Sequence, residues 1–214
     1  MTPSPEQPVG DLADIAAYYT GKLTAHGATP LGVDWSCRPT QDLRFVQLLR
    51  GLELPSGECL NDLGCGYGAL LDHLDTRHPG HETDYLGIDA SAAMVTTARK
   101  RFRNKPLVAF VQGTESPRVA DYAVASGVFN VKLDRPVAEW EGRVRTTLRS
   151  TAAHVKRGMA INMLHLKRRP PSHANELYFG DPDIWQRWCE QSLGMHAEVV
   201  EDYGMKEFTL VCRR

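Results

Sequence analysis

The residues best suited to chemistry lie close together, between positions 59 and 68. Asp62 is followed by Gly64, Gly66 and Gly68, with apolar residues before the acid and an apolar helical pattern after the last glycine. Glycine lets a ligand come within contact distance of the backbone, which a Cβ atom would prevent. The stretch therefore predicts a strand, a tight turn that binds a ligand, and a helix.

A second acid strengthens this prediction. Asp89 follows Gly68 by 21 residues and comes directly after a strand-like run, 85–88. An acidic side chain at the end of the second strand accepts hydrogen bonds from two ribose hydroxyls in nucleotide-binding sheets. The two features together favour a ligand that contains a ribose over a glycine-rich turn with no ligand.

Two cofactors fit these residues. Gly64, Gly66 and Ala69 match a dinucleotide pattern, but an acid before the first glycine repels a pyrophosphate. Asp62 instead suits S-adenosylmethionine, which has a ribose, an ammonium group and no phosphate. The unit Asp62-x-Gly64-x-Gly66-x-Gly68 resembles the first motif of the class I S-adenosylmethionine-dependent methyltransferase family.

The resemblance implies an α/β fold, a Rossmann-like doubly wound sheet of about seven strands, mostly parallel, with an antiparallel C-terminal hairpin strand. The sequence pattern predicts strands at 59–63, 85–89, 107–111, 121–125, 159–163, 196–201 and 207–212. It predicts helices at 11–23, 42–52, 69–78, 91–102, 138–156 and 181–192.

Length and composition fit one structural domain. A chain of 214 residues can bury one substantial core. We expect a flexible tail at 1–10, lid helices within 11–56 and a methyltransferase domain at 57–214. Five scattered cysteines, no membrane-spanning run and no signal-peptide pattern predict a cytoplasmic protein that does not associate with membranes.

Ligands of open parallel sheets bind at the carboxyl ends of the strands, so the residues that follow strands one to four are candidate cofactor contacts. Met94 could pack on adenine or belong to a helix core, and the polar contact at 113–114 follows a usual position in the family. The candidates in this part of the chain are Asp62, Gly64, Cys65, Gly66, Gly68, Asp89, Ala90, Met94, Gly113, Thr114, Ser126 and Gly127.

The upstream lid supplies three further candidates for the cofactor site. Tyr19 and Trp35 could stand beside the sulfonium, because an aromatic face attracts a cation, or they could pack the lid onto the domain. Arg44 could bind the cofactor carboxylate through two hydrogen bonds, or it could be a solvated helix residue.

The catalytic candidates follow strands four and five. A hydroxyl or ammonium acceptor must lose a proton, which calls for a base, and His165 comes just after the fifth strand. Asn130, Lys132 and Tyr178 fall on loops expected at the same edge of the sheet, where they could orient the acceptor. Otherwise the protein supplies position and a dry pocket.

Several motifs that the sequence lacks narrow the range of possible methyl acceptors. The place after strand four reads Ser126-Gly-Val-Phe and lacks the Asn/Asp-Pro-Pro-Tyr/Phe motif of nucleobase amino-methyltransferases. Family members that use a metal carry acids after strands four and five, where this chain has Ser126 and Asn162, so we expect no metal. The net charge of −1 gives no drive toward nucleic acid.

The preferred hypothesis is therefore a methyltransferase that acts on an oxygen or nitrogen atom of a small molecule. A methyltransferase of RNA or protein stays open, because Lys167, Arg168 and Arg169 are expected near the active edge. An NAD-binding oxidoreductase is the remaining alternative. The Tyr-x-x-x-Lys pattern of short-chain dehydrogenases occurs only before the glycine turn, at Tyr18 and Lys22, which is the wrong order.

Overall fold

The computed structural model describes residues 12–52, 57–171 and 175–214, so the predicted tail at 1–10 lies outside the described residues. Within them the chain forms seven strands and six α-helices. The strands are β1 (Cys59–Leu63), β2 (Asp84–Asp89), β3 (Val108–Gln112), β4 (Ala120–Ala125), β5 (Val155–Leu164), β6 (His196–Val200) and β7 (Glu207–Arg213). The helices are α1 (Ala13–His26), α2 (Arg38–Leu52), α3 (Ala69–Arg77), α4 (Ala92–Arg101), α5 (Val137–Ala153) and α6 (Pro182–Leu193).

The strands form one sheet in the order β3-β2-β1-β4-β5-β7-β6. Strand β1 pairs in parallel with both β2 and β4, so the chain reverses its direction of winding beside β1. Strand β7 runs antiparallel to β5 and to β6, which closes the sheet with the predicted hairpin. The predicted fold class is confirmed, and the reversal places a crevice at the carboxyl ends of β1 and β4.

Alternating side chains of the parallel strands pack into two hydrophobic layers, one on each face of the sheet. Leu60 and Tyr85 pack with helices α2, α3 and α4 on one face of the sheet. Leu63 and Ile88 pack with α5 and α6 on the other. Strands buried on both faces are typical of parallel sheets covered by helices, and they fix the register that positions the turn after β1.

The helix that follows β2 begins as the sequence predicted. Ser91 precedes α4 in an extended conformation, and its Oγ accepts a hydrogen bond from the backbone N–H of Met94 at 3.2 Å. Such a cap satisfies an N–H group that has no partner within the helix. It also fixes the direction in which the chain leaves Asp89.

Helix α5 is shorter than predicted, since we expected it to continue to 156. Its last residue is Ala153, and the ring Nδ1 of His154 lies 2.8 Å from the backbone oxygen of Ser150. Val155 already pairs with Ala120 of β4. The helix therefore ends three residues before the predicted position, because the ladder of β5 already begins at Val155. No helix among the described residues is both long enough and apolar enough to cross a membrane.

Candidate cofactor cleft and adjoining chamber

A cleft opens where the strand order reverses, with α1 on its far side and about 1060 Å³ of empty space when its open mouth is included. Pockets for small molecules commonly have about 300–1,000 Å³. All but two of the predicted cofactor contacts line this cleft: Tyr19, Trp35, Asp62, Gly64, Cys65, Gly66, Asp89, Ala90, Met94, Gly113, Thr114, Ser126 and Gly127. Their contact with a cofactor stays a prediction.

The turn after β1 needs glycine for both conformation and space. Gly64 has φ 69°, in the left-handed region, and a Cβ atom there would lie 2.4 Å from Cγ2 of Val128. The N–H of Gly64 donates to the carbonyl of Ile88 at 2.7 Å, which ties the turn to β2. The backbone is thus exposed at the cleft and held in place by the neighbouring strand.

Gly68 has a different role from the predicted one. It precedes the first residue of α3, and a Cβ atom at this position would lie 2.6 Å from Cε2 of Phe102. It does not line the cleft. The third glycine of the motif is therefore required for packing between α3 and α4, which does not favour a contact with the cofactor, and that contact stays a prediction.

Asp89 stands in the cleft with both carboxylate oxygens fixed by the backbone. Oδ2 accepts from the N–H of Gly66 at 2.9 Å, and Oδ1 accepts from the N–H of Ser91 at 2.8 Å. Burial raises the pKa of Asp89 to about 6, although the two backbone hydrogen bonds act in the opposite direction. The side chain is an oriented acceptor at the end of β2, as a ribose-binding acid must be.

Asp62 is the second carboxyl group of the cleft. Its Oδ2 accepts a hydrogen bond of 2.5 Å from the hydroxyl of Tyr85. Burial raises the pKa of Asp62 to about 7; the Tyr85 hydrogen bond opposes the shift and the charge of Asp89 adds to it. Two acids that repel each other in a buried site are stabilised by a cation, and no phosphate would be tolerated beside them.

The loop after β4 offers a free hydroxyl to the cleft. Oγ of Ser126 is buried and has no hydrogen-bond partner among the described residues. The neighbouring N–H of Gly127 donates to Oδ1 of Asn162 at 2.6 Å, which holds the loop against β5. Buried polar atoms are seldom left without a partner, so Ser126 is a candidate contact for a ligand.

Arg44 does not present its guanidinium to a cofactor, and this corrects the sequence prediction. Its Nε and Nη2 atoms donate to the carboxylate of Glu207 at 2.6–2.9 Å, and Nη1 donates to the carbonyl of Thr40 at 2.8 Å. Both charged groups are buried. The carboxylate that Arg44 binds through two hydrogen bonds thus belongs to the protein.

The same guanidinium holds Trp35. Its carbon Cζ lies 3.6 Å from the centre of the Trp35 ring, which fits a cation–π contact. The far edge of that ring lies over Gly127, where a Cβ atom would come within 2.4 Å of Cζ2 of Trp35. Trp35 is therefore clamped between an ion pair and the backbone of the β4 loop.

A second cavity, called the chamber here, adjoins the cleft. Tyr19, Val33 and Trp35 line both cavities, so they form a shared wall. The other residues that line the chamber come from α2 and the segment before it, from the loop after β4, from the end of β5 and the segment after it, and from the β6–β7 hairpin. They are Asp34, Arg44, Asn130, Val131, Leu164, Leu177, Gly204, Met205, Lys206 and Glu207. Of the predicted catalytic residues, Asn130 alone lines it.

His165 lines neither of the two cavities. Its Nε2 atom is 2.9 Å from a carboxylate oxygen of Glu201, and Nδ1 accepts from the N–H of Lys167 at 3.2 Å. The ring is buried beside Phe208. Both ring nitrogens are thus engaged by the protein and hold the segment after β5; these contacts do not favour His165 as the base, and that role stays a prediction.

Lys132 and Tyr178 are likewise structural. Nζ of Lys132 donates to the carbonyls of Leu133 and Arg135, both at 3.0 Å, which closes the loop before α5. The Tyr178 hydroxyl donates to Glu141 at 3.1 Å and accepts from Nε1 of Trp185 at 2.9 Å. Burial raises the pKa of Tyr178, so the phenol keeps its proton. These contacts do not favour a role for either residue in orienting the acceptor, and that role stays a prediction.

Sequence reasoning missed residues that arrive from distant elements. Phe45 of α2 and Trp140, Arg143 and Thr147 of α5 line the cleft. Glu207 was missed in the chamber, although it carried a signal. It is an acid at the start of a strand, followed by the apolar run 208–212, and a buried acid requires a partner.

A doubly wound sheet with a glycine turn and an oriented acid at the switch point defines an enzyme that uses a nucleoside-containing cofactor. A family model described as a methyltransferase domain matches residues 61–158. The protein named "Putative methyltransferase Rv1506c" from Mycobacterium tuberculosis is 40% identical over 155 residues, covering 72% of this chain and 92% of that protein. The chain belongs to the class I S-adenosylmethionine-dependent methyltransferases.

Solved structures share the fold at low sequence identity. Human N-acetylserotonin methyltransferase with bound S-adenosylmethionine matches with a TM-score of 0.66 at 16% identity, over 97% of this chain and 60% of that one. Magnesium protoporphyrin IX methyltransferase from Synechocystis, also with bound cofactor, has a TM-score of 0.56 at 16% identity, over 82% and 78%. A Haloferax volcanii methyltransferase solved with its activator Trm112 has a TM-score of 0.59 at 14% identity, over 95% and 97%.

Proposed function

We propose that this enzyme moves the methyl group of S-adenosylmethionine to an oxygen or nitrogen atom of a small-molecule acceptor, by in-line displacement and without a metal ion. One observation carries the proposal. The cleft with the glycine turn and two acids shares a wall with a separate chamber, so a donor and an acceptor could be held side by side. Holding two reactants in line is the main contribution that a methyltransferase makes.

The residues of the cleft fit the cofactor group by group. Asp89 is oriented to accept from the ribose hydroxyls, and Asp62 supplies negative charge for the ammonium group. Ser126 offers its free hydroxyl, and Met94 is buried where adenine would pack. The bound cofactor supplies an electrophilic methyl group on its sulfonium. Tyr19 and Trp35 place aromatic faces between the two cavities, where they would stabilise a cation.

The chamber supports a small acceptor. Its floor is made of buried side chains, Asn130, Val131 and Glu207, and loop and hairpin residues surround it. Its empty volume of about 880 Å³, open mouth included, is in the range of small-molecule pockets, and two enzymes with the same fold are named for small molecules, N-acetylserotonin and magnesium protoporphyrin IX. Lys167, Arg168 and Arg169 prompted the macromolecular alternative, and of these Arg168 is engaged with Asp202 and with the carbonyl of Met205.

The chamber also supports chemistry without a metal. Glu207 is its buried carboxylate, and Arg44 and Asn162 already bind that carboxylate. Burial raises the pKa of Glu207, which the Arg44 contact opposes. No cluster of three His, Cys, Asp or Glu side chains suited to a metal occurs among the described residues.

A methyltransferase of RNA or protein is the second candidate, favoured by the basic run Lys167, Arg168 and Arg169 that follows β5. Isothermal titration with S-adenosylmethionine, S-adenosylhomocysteine and NAD tests the first step. We expect both sulfur nucleosides to bind and NAD not to bind. Tight NAD binding with no response to S-adenosylhomocysteine would end the methyltransferase proposal.

The acceptor class needs a second assay. The enzyme is incubated with tritiated methyl donor and with separate small-molecule, RNA and protein fractions, with and without a chelator. We expect label in the small-molecule fraction at an unchanged rate in chelator. Label confined to RNA or protein would favour the second candidate, and a rate restored only by added metal would contradict the metal-free mechanism.

A further inference from the structure

The amide of Asn130 is the least explained polar group of the chamber. The residue is 5% exposed, and its Nδ2 atom is buried with no hydrogen-bond partner among the described residues. A donor left unsatisfied in this way destabilises a folded protein, because it has lost its bonds to water and gained none in return. A buried donor in a cavity wall is therefore a candidate ligand contact.

The orientation of this amide is fixed by its surroundings. Oδ1 accepts from the N–H of Leu164 at 3.2 Å. The backbone of Asn130 is also held, because its N–H donates to Gly127 at 3.3 Å and its carbonyl accepts from Tyr178 at 2.8 Å. A flipped amide would place two N–H groups against each other, so Nδ2 is the atom left free.

The free donor lies close to the shared wall. Nδ2 is 3.6 Å from the position that a Cβ atom of Gly127 would occupy, and Trp35 covers the same glycine. Gly127 in turn lines the cleft. A group bound to Nδ2 would therefore sit at the end of the chamber that faces the cofactor.

The charges around the chamber indicate what kind of group fits. Arg44 and Glu207 neutralise each other at its floor, and Asp34 at its rim is paired with Lys22 at 2.6 Å. Val131, Leu164 and Leu177 add apolar surface. Lys206 also lines the chamber, but its side chain is exposed, so an ionised ligand would lose its hydration and gain only a counter-charge screened by solvent.

We propose that the chamber takes an uncharged, largely apolar small molecule that presents a hydroxyl or carbonyl oxygen to Nδ2 of Asn130. The inference rests on the proposed function, since the chamber would be the acceptor site of the methyl transfer. Asn130 would then determine specificity, because its amide selects for an oxygen atom at the end of the acceptor nearest the cofactor.

The test uses four probes of similar size on the full chain saturated with S-adenosylhomocysteine: phenol, toluene, benzoate and benzylammonium. Dissociation constants come from nitrogen-15 NMR, in which the side-chain amide of Asn130 is identified by its loss in Asn130→Asp. We expect phenol to bind more tightly than toluene by about three- to tenfold, the worth of one neutral hydrogen bond. Phenol, and not toluene, should shift the Asn130 amide.

Two variants separate the donor from the rest of the residue. Asn130→Asp keeps the oxygen that accepts from Leu164 and removes the donor, whereas Asn130→Leu removes both. Asn130→Leu should bring phenol affinity down to that of toluene, whereas the carboxylate of Asn130→Asp can accept from the phenol O–H and serves to identify the amide signal. Both should leave S-adenosylhomocysteine affinity within about twofold. Asn175→Leu, at an exposed asparagine of the segment that also carries Leu177, is the matched control and should change neither.

The proposal is overturned if wild-type protein binds phenol and toluene equally, if a charged probe binds best, or if Asn130→Leu keeps the phenol preference. A large loss of S-adenosylhomocysteine affinity in both variants would instead assign the amide to the cofactor. Should neither variant fold, the wild-type probe series alone still decides. Failure of the wild type to bind S-adenosylhomocysteine would contradict the proposed function, and the same probes then test the chamber alone.

Discussion

The cleft and the chamber share Trp35, but different forces hold them. In the cleft, backbone groups fix the chemistry: Gly64 donates to Ile88, and Gly66 donates to the carboxylate of Asp89. In the chamber, a side-chain ion pair between α2 and β7 does so, since Arg44 and Glu207 hold Trp35 in place. Backbone hydrogen bonds persist when side chains are changed. The arrangement of the chamber, in contrast, depends on the two residues of the ion pair.

This contrast suits the two ligands of the proposed reaction. A cofactor common to the whole family requires a turn of constant shape, which the strand–turn–helix unit provides. The acceptor differs among enzymes of one fold, and side chains from a loop and a hairpin can be exchanged without disturbing the sheet. The two cavities should therefore respond separately to mutation.

The largest effect is expected at the chamber's ion pair. Glu207→Ala leaves the buried guanidinium of Arg44 without its partner, and breaking a buried pair costs about 3–5 kcal/mol of unfolding free energy. Urea denaturation measures it. Glu198→Ala is the matched control, because Glu198 forms an exposed pair with Arg213 and should cost no more than about 1 kcal/mol.

Equal stability of the two variants would show that the Arg44–Glu207 pair does not hold the chamber. Arg44→Met in the Glu207→Ala background sharpens the result, since it removes the uncompensated charge. The double variant should regain part of the lost stability.

The cleft should respond in ligand affinity rather than in stability. Asp89→Ala removes the acceptor of two ribose hydrogen bonds, and each hydrogen bond to a charged group is worth about 1.5–3 kcal/mol before compensation. We expect S-adenosylhomocysteine to bind at least about tenfold more weakly by calorimetry. Asp75→Ala is the control, because Asp75 lies on α3 and is paired with Lys105; this variant should bind S-adenosylhomocysteine normally. An unchanged constant in well-folded Asp89→Ala would place the ribose elsewhere.

The raised pKa values of the cleft predict an opposite pH dependence for stability and binding. Asp89 and Asp62 have pKa values of about 6 and 7, above the usual 3.8. As pH rises, the unfolded chain loses these protons first, so their contribution to the free energy of unfolding falls between about pH 4 and pH 7.

Binding should change the other way, because ribose hydroxyls donate to the ionised form of Asp89. Affinity for S-adenosylhomocysteine should therefore rise with pH and level off above pH 7. Below pH 6 it should fall by up to about tenfold per pH unit for each proton released on binding. Calorimetry from pH 5 to pH 8 measures this. A flat profile, or an equally steep one in Asp89→Asn, would remove Asp89 from the linkage.

The sequence predicted those parts of the molecule whose interactions are local. The turn at 62–66 and the acid at Asp89 were found because a strand end, a glycine and a helix start lie within a few residues. The cap at Ser91 was found for the same reason. The hairpin of β6 and β7 was predicted from alternating residues on both sides of a short turn.

The position of a residue in the site could not be predicted from the sequence where it depends on the direction of the side chain or on a partner far away in the chain. His165 does follow β5, but being near a strand end does not fix where the ring points, and Glu201 draws it away from the cavities. Arg44 pairs with Glu207, which is 163 residues away in the chain. Gly68 shows a third limit, since a motif glycine can serve packing instead of ligand contact.

The smallest effect is expected at Trp35, because its uncharged ring forms a wall and would contribute only a cation–π contact and packing. Trp35→Phe keeps an aromatic face of smaller size. A cation–π contact is worth roughly 0.5–2 kcal/mol, so loss of part of it should weaken S-adenosylmethionine by about two- to fivefold. The uncharged thioether of S-adenosylhomocysteine should be affected less, and this difference separates a sulfonium contact from simple loss of packing.

Fluorine NMR of protein labelled with 5-fluorotryptophan follows the wall directly. Replacing the other tryptophans is unsuitable, since Trp140 and Trp185 are fully buried in the core. Trp35 is identified by the signal missing in Trp35→Phe, and Trp188, which packs on Trp185 away from both cavities, is an internal control. Because Trp35 lines both cavities, its signal should shift with S-adenosylhomocysteine and again with phenol, whereas that of Trp188 should not. A Trp35 signal that shifts with the cofactor alone would show that Trp35 is not a wall shared by the chamber and the cleft. A signal that shifts with neither ligand would place Trp35 outside the site.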